Sequence, residues 1–203
     1  LGLGEEDNIN TITMTGINRS SKTKNLTSKN RIAVIVAEGD IVSGKSEGSI
    51  ASDNFKEEIK KARKNKDVKA IVLRVNSPGG SALASEVIWR EMTEAKKAKP
   101  LIVSMGEVAA SGGYYISAPA DTIVAQPNTI TGSIGIFGLW FNVQELINDK
   151  LGVTTDVVST GELSDFMNPG RPLTEVERTI IQSQIEDGYE TFISRVAEGR
   201  GMH

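Results

Sequence analysis

The stretch VKAIVLRVNSPGG, residues 68–80, carries the pattern on which the fold prediction depends. Its apolar part, AIVLRV (70–75), is short and rich in β-branched residues, which is typical of a strand. The NSPGG that follows is a turn sequence, because proline fixes φ and glycine permits positive φ. A helical pattern begins directly afterwards. Residues 68–80 therefore predict a strand that leads through a turn into a helix.

The same alternation of strand and helix patterns continues on both sides of this stretch. It predicts an α/β fold, a largely parallel sheet covered by helices. The run IAVIVA predicts a buried strand, and a capping-box pattern at Thr174 and Glu177 predicts the start of the last helix. The predicted strands are 32–37, 70–75, 101–105, 122–125 and 154–159, and the predicted helices are 53–64, 83–95, a short one after Ser111, 141–150 and the last one.

One face of the last helix is apolar, which predicts that this face is buried. The residues on it are Val176, Ile180, Ile181, Ile185, Phe192, Ile193 and Val196.

The first thirty residues differ from the rest of the chain. Residues 18–30, NRSSKTKNLTSKN, are polar and basic and have almost nothing to bury. We therefore expect residues 1–30 to be a linker or mobile segment, with a weak edge-strand pattern at 9–14, and residues 31–203 to form the serine-bearing domain. The chain begins with Leu and shows no signal-peptide pattern, so we expect it to be part of a longer protein.

Composition excludes several classes of site. The net charge of −3 gives no reason to expect a nucleic-acid partner. The chain has no cysteine, and its single histidine is the last residue, His203. Thiol catalysis, disulfides and histidine-ligated metals are therefore not expected, and no cofactor is predicted.

Three segments rich in glycine and serine follow predicted strands. They are NSPGG (76–80), ASGGYY (110–115) and TGSIGIFG (131–138). Loops at the carboxyl ends of parallel strands converge on the binding crevice of an α/β sheet. The sequence therefore predicts one site built from these three loops.

Each segment alone allows a structural and a functional interpretation. NSPGG is a turn, or it supplies backbone N–H groups to a developing oxyanion. Ser111 caps a helix, or it is a nucleophile. In the second case the N–H groups of Gly80 and Gly112 would hold the oxyanion that forms on the attacked carbonyl. Ser133 belongs to a turn, or it orients a base.

Taken together, VKAIVLRVNSPGG, VSMGEVAASGGYYISAPAD and TGSIGIFG resemble the signal peptide peptidase A (protease IV) family. The resemblance runs from about Arg31 to Met202 and includes DFMNPGRPLT. It implies a crotonase/Clp-protease-like fold and a serine–lysine peptidase. In that family pattern Ser111 is the nucleophile, Gly80 and Gly112 donate to the oxyanion, and Ser133 positions the lysine.

The resemblance also implies partners and a location. The expected substrates are extended apolar peptides, above all the remnants of cleaved signal peptides. The family forms oligomers and acts on the outer, periplasmic side of the cytoplasmic membrane.

The lysine that this chemistry needs has no obvious place in the chain. A lysine acts as a base only when neutral, so its pKa must fall from about 10.4 to about 7–8 in a dry site. Lys150, the only lysine after Ser111, lies at a predicted helix end, where a surface role is expected. In short family members the lysine lies in the segment matching STGELSDFM (159–167), where this chain has about Ser164.

This departure matches the long, two-domain members of the family. In those, the C-terminal half supplies the serine and the N-terminal half supplies the lysine. We therefore expect the base to come from an N-terminal half of the same protein, and the chain alone to be inactive or nearly so.

Two alternatives remain open from the sequence. A crotonase-like acyl-CoA enzyme would use carboxylates such as Glu107 or Glu86, and a non-catalytic half would only support an assembly. Small apolar residues near Ser111 are candidates for lining the peptide pockets, although core packing explains them equally well. They are Val108, Ala109, Ala110 and Ile134.

Overall fold

The computed structural model describes residues 30–202, so nearly all of the predicted linker, and the weak strand at 9–14, lie outside the described residues. Strands and helices alternate as predicted. The strands are β1 (Arg31–Glu38), β2 (Ile41–Val42), β3 (Ile50–Ala51), β4 (Val68–Ser77), β5 (Leu101–Ala110), β6 (Thr122–Val124) and β7 (Ile130–Gly132). The helices are α1 (Ser52–Lys64), α2 (Ala82–Ala98), α3 (Gly112–Ser117) and α4 (Glu175–Arg200).

The main sheet is parallel throughout, which confirms the predicted class. Its order is β1-β4-β5-β6, and β7 pairs with the carboxyl-terminal part of β5. Leu73 at the centre pairs with Ile35 on one side and Val103 on the other. Because β4 and β5 are the two central strands, their carboxyl ends lie side by side at one edge of the sheet.

Helices α1, α2 and α3 pack on one face of this sheet. Leu73 and Val75 of β4 are fully buried there against Ile88 and Met92 of α2 and Ile116 of α3. Burying one such aliphatic side chain is worth about 1.5–3 kcal/mol, so this layer supplies most of the hydrophobic stabilisation.

The opposite face of the sheet is open at β1. Ile35 and Ala37 of this strand are buried, whereas Val34 and Val36 are 63% and 57% exposed. The prediction of a buried strand at IAVIVA is therefore confirmed for the strand but wrong for the burial of Val34 and Val36. Its physical reason is that β1 is an edge strand with helices on one face only.

The segment between β7 and α4 contains little regular structure. The predicted strand at 154–159 does not form, because these residues pair with no neighbouring strand within the described chain. The predicted helix at 141–150 is helical only from residue 144, where the backbone N–H of Gln144 donates to the side chain of Asn142, and it ends as a π-helix at Leu146–Lys150.

Helix α4 is anchored by its carboxyl-terminal half. Phe192 and Val196 are buried, and the guanidinium of Arg200 donates to the carbonyl of Ala120 at 2.7 Å. Val176, at the other end, is half exposed, so the predicted apolar face is only partly buried. Among residues 30–202, no helix has both the length and the apolarity that crossing a bilayer requires.

The start of α4 is held by an ionic cluster. The predicted capping box is confirmed, since Thr174 and Glu177 exchange side-chain and backbone hydrogen bonds. Arg171 donates to both oxygens of Glu177, at 2.7 and 2.8 Å, and to both oxygens of Asp165. The hydrogen bonds from Arg171 and from the N–H of Thr174 lower the pKa of Glu177 to about 2. This cluster ties the segment around Asp165 to the first turn of α4.

The cluster predicts a dependence of stability on pH. An unfolded glutamate has a pKa near 4.3, so the unfolded chain takes up this proton first as the pH falls. The contribution of Glu177 is therefore present above about pH 4 and is lost as the pH falls toward 2. We expect Glu177→Gln to lower the free energy of unfolding at pH 7, and the difference from the native chain to shrink between pH 4 and pH 2.

Urea unfolding at several pH values measures this difference. Glu175→Gln is the matched control, because Glu175 lies in the same turn with a side chain that is 96% exposed. A difference for Glu177→Gln that is equal at pH 6 and pH 2.5 would contradict the assignment.

Candidate active site

The three glycine- and serine-rich loops meet at one edge of the sheet, as predicted. Ala110 at the end of β5 pairs with Gly132 at the end of β7, so Ser111 and Ser133 leave neighbouring strands side by side. Ser77 at the end of β4 pairs with Ala109 on the other side of β5. Ser111 therefore lies between the other two loops.

Ser111 has an unusual backbone conformation. Its φ of 51° and ψ of −120° are rare for a residue with a side chain and cost about 1–3 kcal/mol. Two hydrogen bonds hold this conformation: its N–H donates to the carbonyl of Gly132 at 2.9 Å, and its carbonyl accepts from the N–H of Tyr115 at 2.9 Å. The sharp turn from β5 into α3 places the Ser111 hydroxyl at the surface of the cleft, where it has no hydrogen-bond partner among residues 30–202.

Two backbone N–H groups beside Ser111 are also without an acceptor in the described chain. Gly112 is the first residue of α3, whose first-turn N–H groups have no intrahelical partner. The residues before and after Gly80 form the hydrogen bonds to β2. The N–H of Ile41 donates to the carbonyl of Gly79, and the N–H of Ser81 donates to the carbonyl of Ile41, both at 2.8 Å. This alternation leaves the N–H of Gly80 unused. Unpaired N–H groups next to a hydroxyl are the donors that an oxyanion requires.

The loop after β4 touches the loop after β5 through backbone atoms. A Cβ on Gly79 would lie 2.7 Å from the nitrogen of Gly112 and 2.9 Å from the Cβ of Ser111. Gly79 also has a φ of 110°, which residues with side chains rarely adopt. Glycine is therefore required here both for the backbone angle and for the close approach.

Two cavities lie beside Ser111. The first, of about 180 Å³, is lined on its apolar side by Tyr115, Ile136, Phe137 and Phe192. The second, of about 450 Å³, is shared by Ser111 with Asp40, Pro78, Ser133 and Ile136, among others. Asp40, Tyr115 and Phe192 were not predicted as site residues from the sequence. Asp40 could have been predicted, because it follows the carboxyl end of the predicted strand β1. The three loops lie at the same edge of the sheet.

The residues predicted to line peptide pockets do not line these cavities. Ala109 and Ala110 are buried in the core, which is the packing role that the sequence left open. Val108 and Ile134 line neither cavity.

The carboxylate of Glu86 accepts hydrogen bonds in a cluster that includes Tyr115, a residue of the apolar cavity wall. The hydroxyl of Tyr115 donates to Glu86, and Arg195 of α4 donates to the same carboxylate at 3.0 Å. The guanidinium of Arg195 also stacks over Trp89, 3.9 Å from the ring centre. Burial, and secondarily this bond to Glu86, raise the pKa of Tyr115 well above its ordinary value, so the phenol keeps its proton. A general acid–base role for Glu86 is not favoured by these bonds.

No lysine lines either cavity beside Ser111 within the described residues. Desolvation, and then the charge of Lys69, lower the pKa of Lys99. Lys99, however, lies just before β5 begins, and its ammonium donates to the carbonyls of Ala62 and Asn65. The ten residues of β5 lie between Lys99 and Ser111, and they separate the two residues by about 30 Å. Lys150 is exposed, and Ser164 lies in a turn in which its hydroxyl donates to Gly161.

Comparison with known proteins supports the assignment of the fold and identifies the family. The peptidase family S49 model matches residues 93–203, more than half of the chain, and the Clp protease model matches residues 23–131. The chain belongs to peptidase family S49. The S49 match includes Ser111 and Ser133, and the Clp protease match includes both oxyanion-hole candidates, Gly80 and Gly112.

Relatives of this S49 chain are longer than the chain itself. Protease 4 of Haemophilus influenzae is 48% identical over 175 residues, which are 85% of this chain and 28% of that protein. The putative signal peptide peptidase SppA of Enterococcus faecium is 36% identical over 99% of this chain and 62% of that protein. The chain therefore spans about a quarter to three fifths of these relatives. Among solved structures, ClpP1 of Listeria monocytogenes (N165D mutant) shares the fold, with a TM-score of 0.51, 16% identity, and coverage of 84% of this chain and 73% of that one.

The contact between the two loops predicts a large effect of one methyl group. Gly79→Ala would place a Cβ against the nitrogen of Gly112, so we expect it to displace the Ser111 loop as well as strain φ. Gly48→Ala is the matched control, because Gly48 has a φ of 76° with nothing within 4 Å of the added Cβ. We expect about 1–2 kcal/mol of destabilisation for the control. Gly79→Ala should cost a further ~1–3 kcal/mol for the clash.

Thermal or urea unfolding of both variants measures these costs. Equal destabilisation of the two would show that φ alone matters and that the close approach does not.

Proposed function

We propose that this chain carries the serine half of a serine–lysine peptidase site. The single observation that carries the proposal is the Ser111 hydroxyl lying beside the unused N–H groups of Gly80 and Gly112, in a cleft that no lysine of residues 30–202 enters. Family S49 membership supports peptide hydrolysis over acyl-CoA chemistry. The bonds of Glu86 to Tyr115 and Arg195 point the same way.

In the proposed mechanism the Ser111 oxygen attacks the carbonyl carbon of the scissile peptide bond. Its proton passes to a neutral lysine amine, and the oxyanion of the tetrahedral intermediate accepts hydrogen bonds from Gly80 and Gly112. The carbon–nitrogen bond then breaks, and the lysinium returns the proton to the leaving amine. A water molecule, deprotonated by the same lysine, hydrolyses the acyl-enzyme ester and restores Ser111.

Each N–H donor is worth a large factor in rate. Losing one oxyanion donor typically costs about 10²–10³ in turnover, because the donor binds the developing charge more strongly than the substrate carbonyl. Both donors here are backbone groups on loops held by the β2 bridge and by α3. Such preorganisation avoids rearrangement when the charge develops.

The lysine is proposed to come from an N-terminal half of the same protein. Two observations support this origin: the second cavity beside Ser111 and Ser133 is open, and the chain spans only 28% of the Haemophilus protein. Ser133, whose φ of 49° turns it at the end of β7, is proposed to orient the incoming amine.

The proposed substrates are extended, apolar peptides, including the remnants of cleaved signal peptides. The cavity walled by Tyr115, Ile136, Phe137 and Phe192 supports an apolar side chain next to the scissile bond. A relative named as a putative signal peptide peptidase supports the substrate class. From the same family resemblance we propose that the protein acts at the outer face of the cytoplasmic membrane.

We also propose that copies of the protein assemble through the segment between β7 and α4. Several large apolar side chains of this segment face solvent, Phe137 being 88% exposed. Large apolar side chains concentrated in one exposed segment are typical of protein interfaces. The exposed apolar residues of the segment include Phe137, Leu139, Phe141, Leu146, Leu151 and Val158.

A reconstitution experiment tests the catalytic proposal. We expect this chain alone to hydrolyse an apolar peptide substrate at or near the uncatalysed rate, because the base is missing. Mixing it with the N-terminal half should restore turnover. Ser111→Ala in the mixture should remove it, by up to about 10⁶-fold. Fluorescence release from a quenched apolar peptide measures the rate.

Two outcomes would contradict the catalytic proposal. Full activity of the chain by itself would mean that the base lies within it. Hydrolysis of an acyl-CoA thioester, with no peptide hydrolysis in the mixture, would favour the crotonase-like alternative.

Light scattering tests the assembly proposal. The double variant Leu139→Ser, Phe141→Ser should lower the mass in solution, whereas Asn142→Ser, a polar change in the same segment, should not. An unchanged mass with native circular dichroism would exclude this segment as the interface.

A further inference from the structure

Asp40 lies on a backbone that is fixed beside the candidate active site. Its own carbonyl accepts from the N–H of Ile50 at 2.9 Å. The residues before and after it are also held: Gly39 N–H donates to Asn76 at 3.0 Å, and Ile41 N–H donates to Gly79 at 2.8 Å. Asp40 is therefore placed next to the loop that carries Gly80 by three hydrogen bonds, not by a mobile turn.

The carboxylate of Asp40 has no such bonds. Among residues 30–202 it has neither an ion pair nor a side-chain hydrogen bond. It lines the second cavity, of about 450 Å³, together with Ser111 and Ser133. The other lining residues are uncharged: Pro78, Gly79, Gly80, Gly135, Ile136 and Phe137.

A lone carboxylate on an open surface is ordinary, but this one borders a cleft with the candidate nucleophile. Asp40 is itself exposed, so its attraction for a cation is the modest one of a surface carboxylate. A primary ammonium has three donors, and three side chains that line this cavity, those of Asp40, Ser133 and Ser111, carry oxygen acceptors.

We propose that Asp40 binds a primary ammonium group in this cavity. Two sources share this chemistry: the lysine base that the proposed function brings to Ser111, and an ammonium group of the peptide substrate. The first source rests on the proposed function, whereas the second requires only that the cleft binds peptides.

The two sources differ in their effect on pH dependence. A carboxylate near a lysine stabilises its charged form and so raises its pKa. If Asp40 contacts the base, Asp40→Asn lowers that pKa and moves the acidic limb of the rate profile to lower pH. If Asp40 contacts the substrate, the limb stays in place and only KM changes.

Binding of n-butylammonium to this chain tests the proposal without any activity. We expect chemical shift changes at residues 40, 80 and 133 in NMR titrations, and binding about two- to fivefold weaker in Asp40→Asn, the size of an exposed ion pair. 1-Pentanol, a neutral molecule of similar length, should bind both chains equally. Asp67→Asn is the matched control. Asp67 is also exposed, has no ion pair among residues 30–202, and precedes β4 at its far end, about 30 Å away.

The assembled peptidase then distinguishes the two sources. A shift of the acidic limb of kcat/KM by about half a pH unit in Asp40→Asn, equal for all substrates, identifies the base lysine. An unshifted limb, with a raised KM only for a lysine-containing peptide and not for its norleucine match, identifies the substrate.

The failures of the two proposals are separate. Butylammonium binding that depends on Asp40, in a mixture without peptidase activity, supports this inference and contradicts the proposed function. Peptidase activity that depends on Ser111, with Asp40→Asn equal to the native chain in both binding and pH profile, overturns this inference.

Discussion

The backbone contact between the loops after β4 and β5 is the constraint on which the site depends. Gly79 approaches the nitrogen of Gly112 so closely that no side chain fits between them. The two N–H groups that flank Ser111 belong to these loops, so their spacing is set by backbone packing and not by flexible side chains. The parallel register of β4 with β5 brings the loops together, and the buried layer of α2 and α3 holds them there.

Beside the Ser111 hydroxyl lie two unused N–H groups, and no lysine of residues 30–202 lines the cavities there. Ser111 is held in a strained conformation by Gly132 and Tyr115, which is a cost the fold bears only where the surroundings determine it. The cavity beside it is open on the side of Asp40 and Ser133. Strain, unused N–H groups and an open cavity are the three observations on which the proposed completion of the site by another polypeptide segment rests.

Two parts of the molecule differ in how well this chain buries them. Around β4 the core is fully buried on one face, whereas the segment from β7 to α4 leaves large apolar residues in solvent. The ionic cluster of Arg171, Asp165 and Glu177 gives that segment a fixed attachment to α4. This fixed attachment and these exposed apolar residues are the observations behind the proposed assembly surface.

The sequence was enough to predict the strand–turn–helix units, the capping box of Thr174 and Glu177, and the meeting of the three loops, because these depend on local patterns and on the parallel order of strands. It did not determine the exposed face of β1 or the irregular segment at 154–159, since burial and strand pairing depend on which neighbours arrive. The pairing of Glu86 with Tyr115 and Arg195, and the place of Asp40, were decided only by the tertiary structure. Those residues are far apart in the chain, and no local preference records their contact.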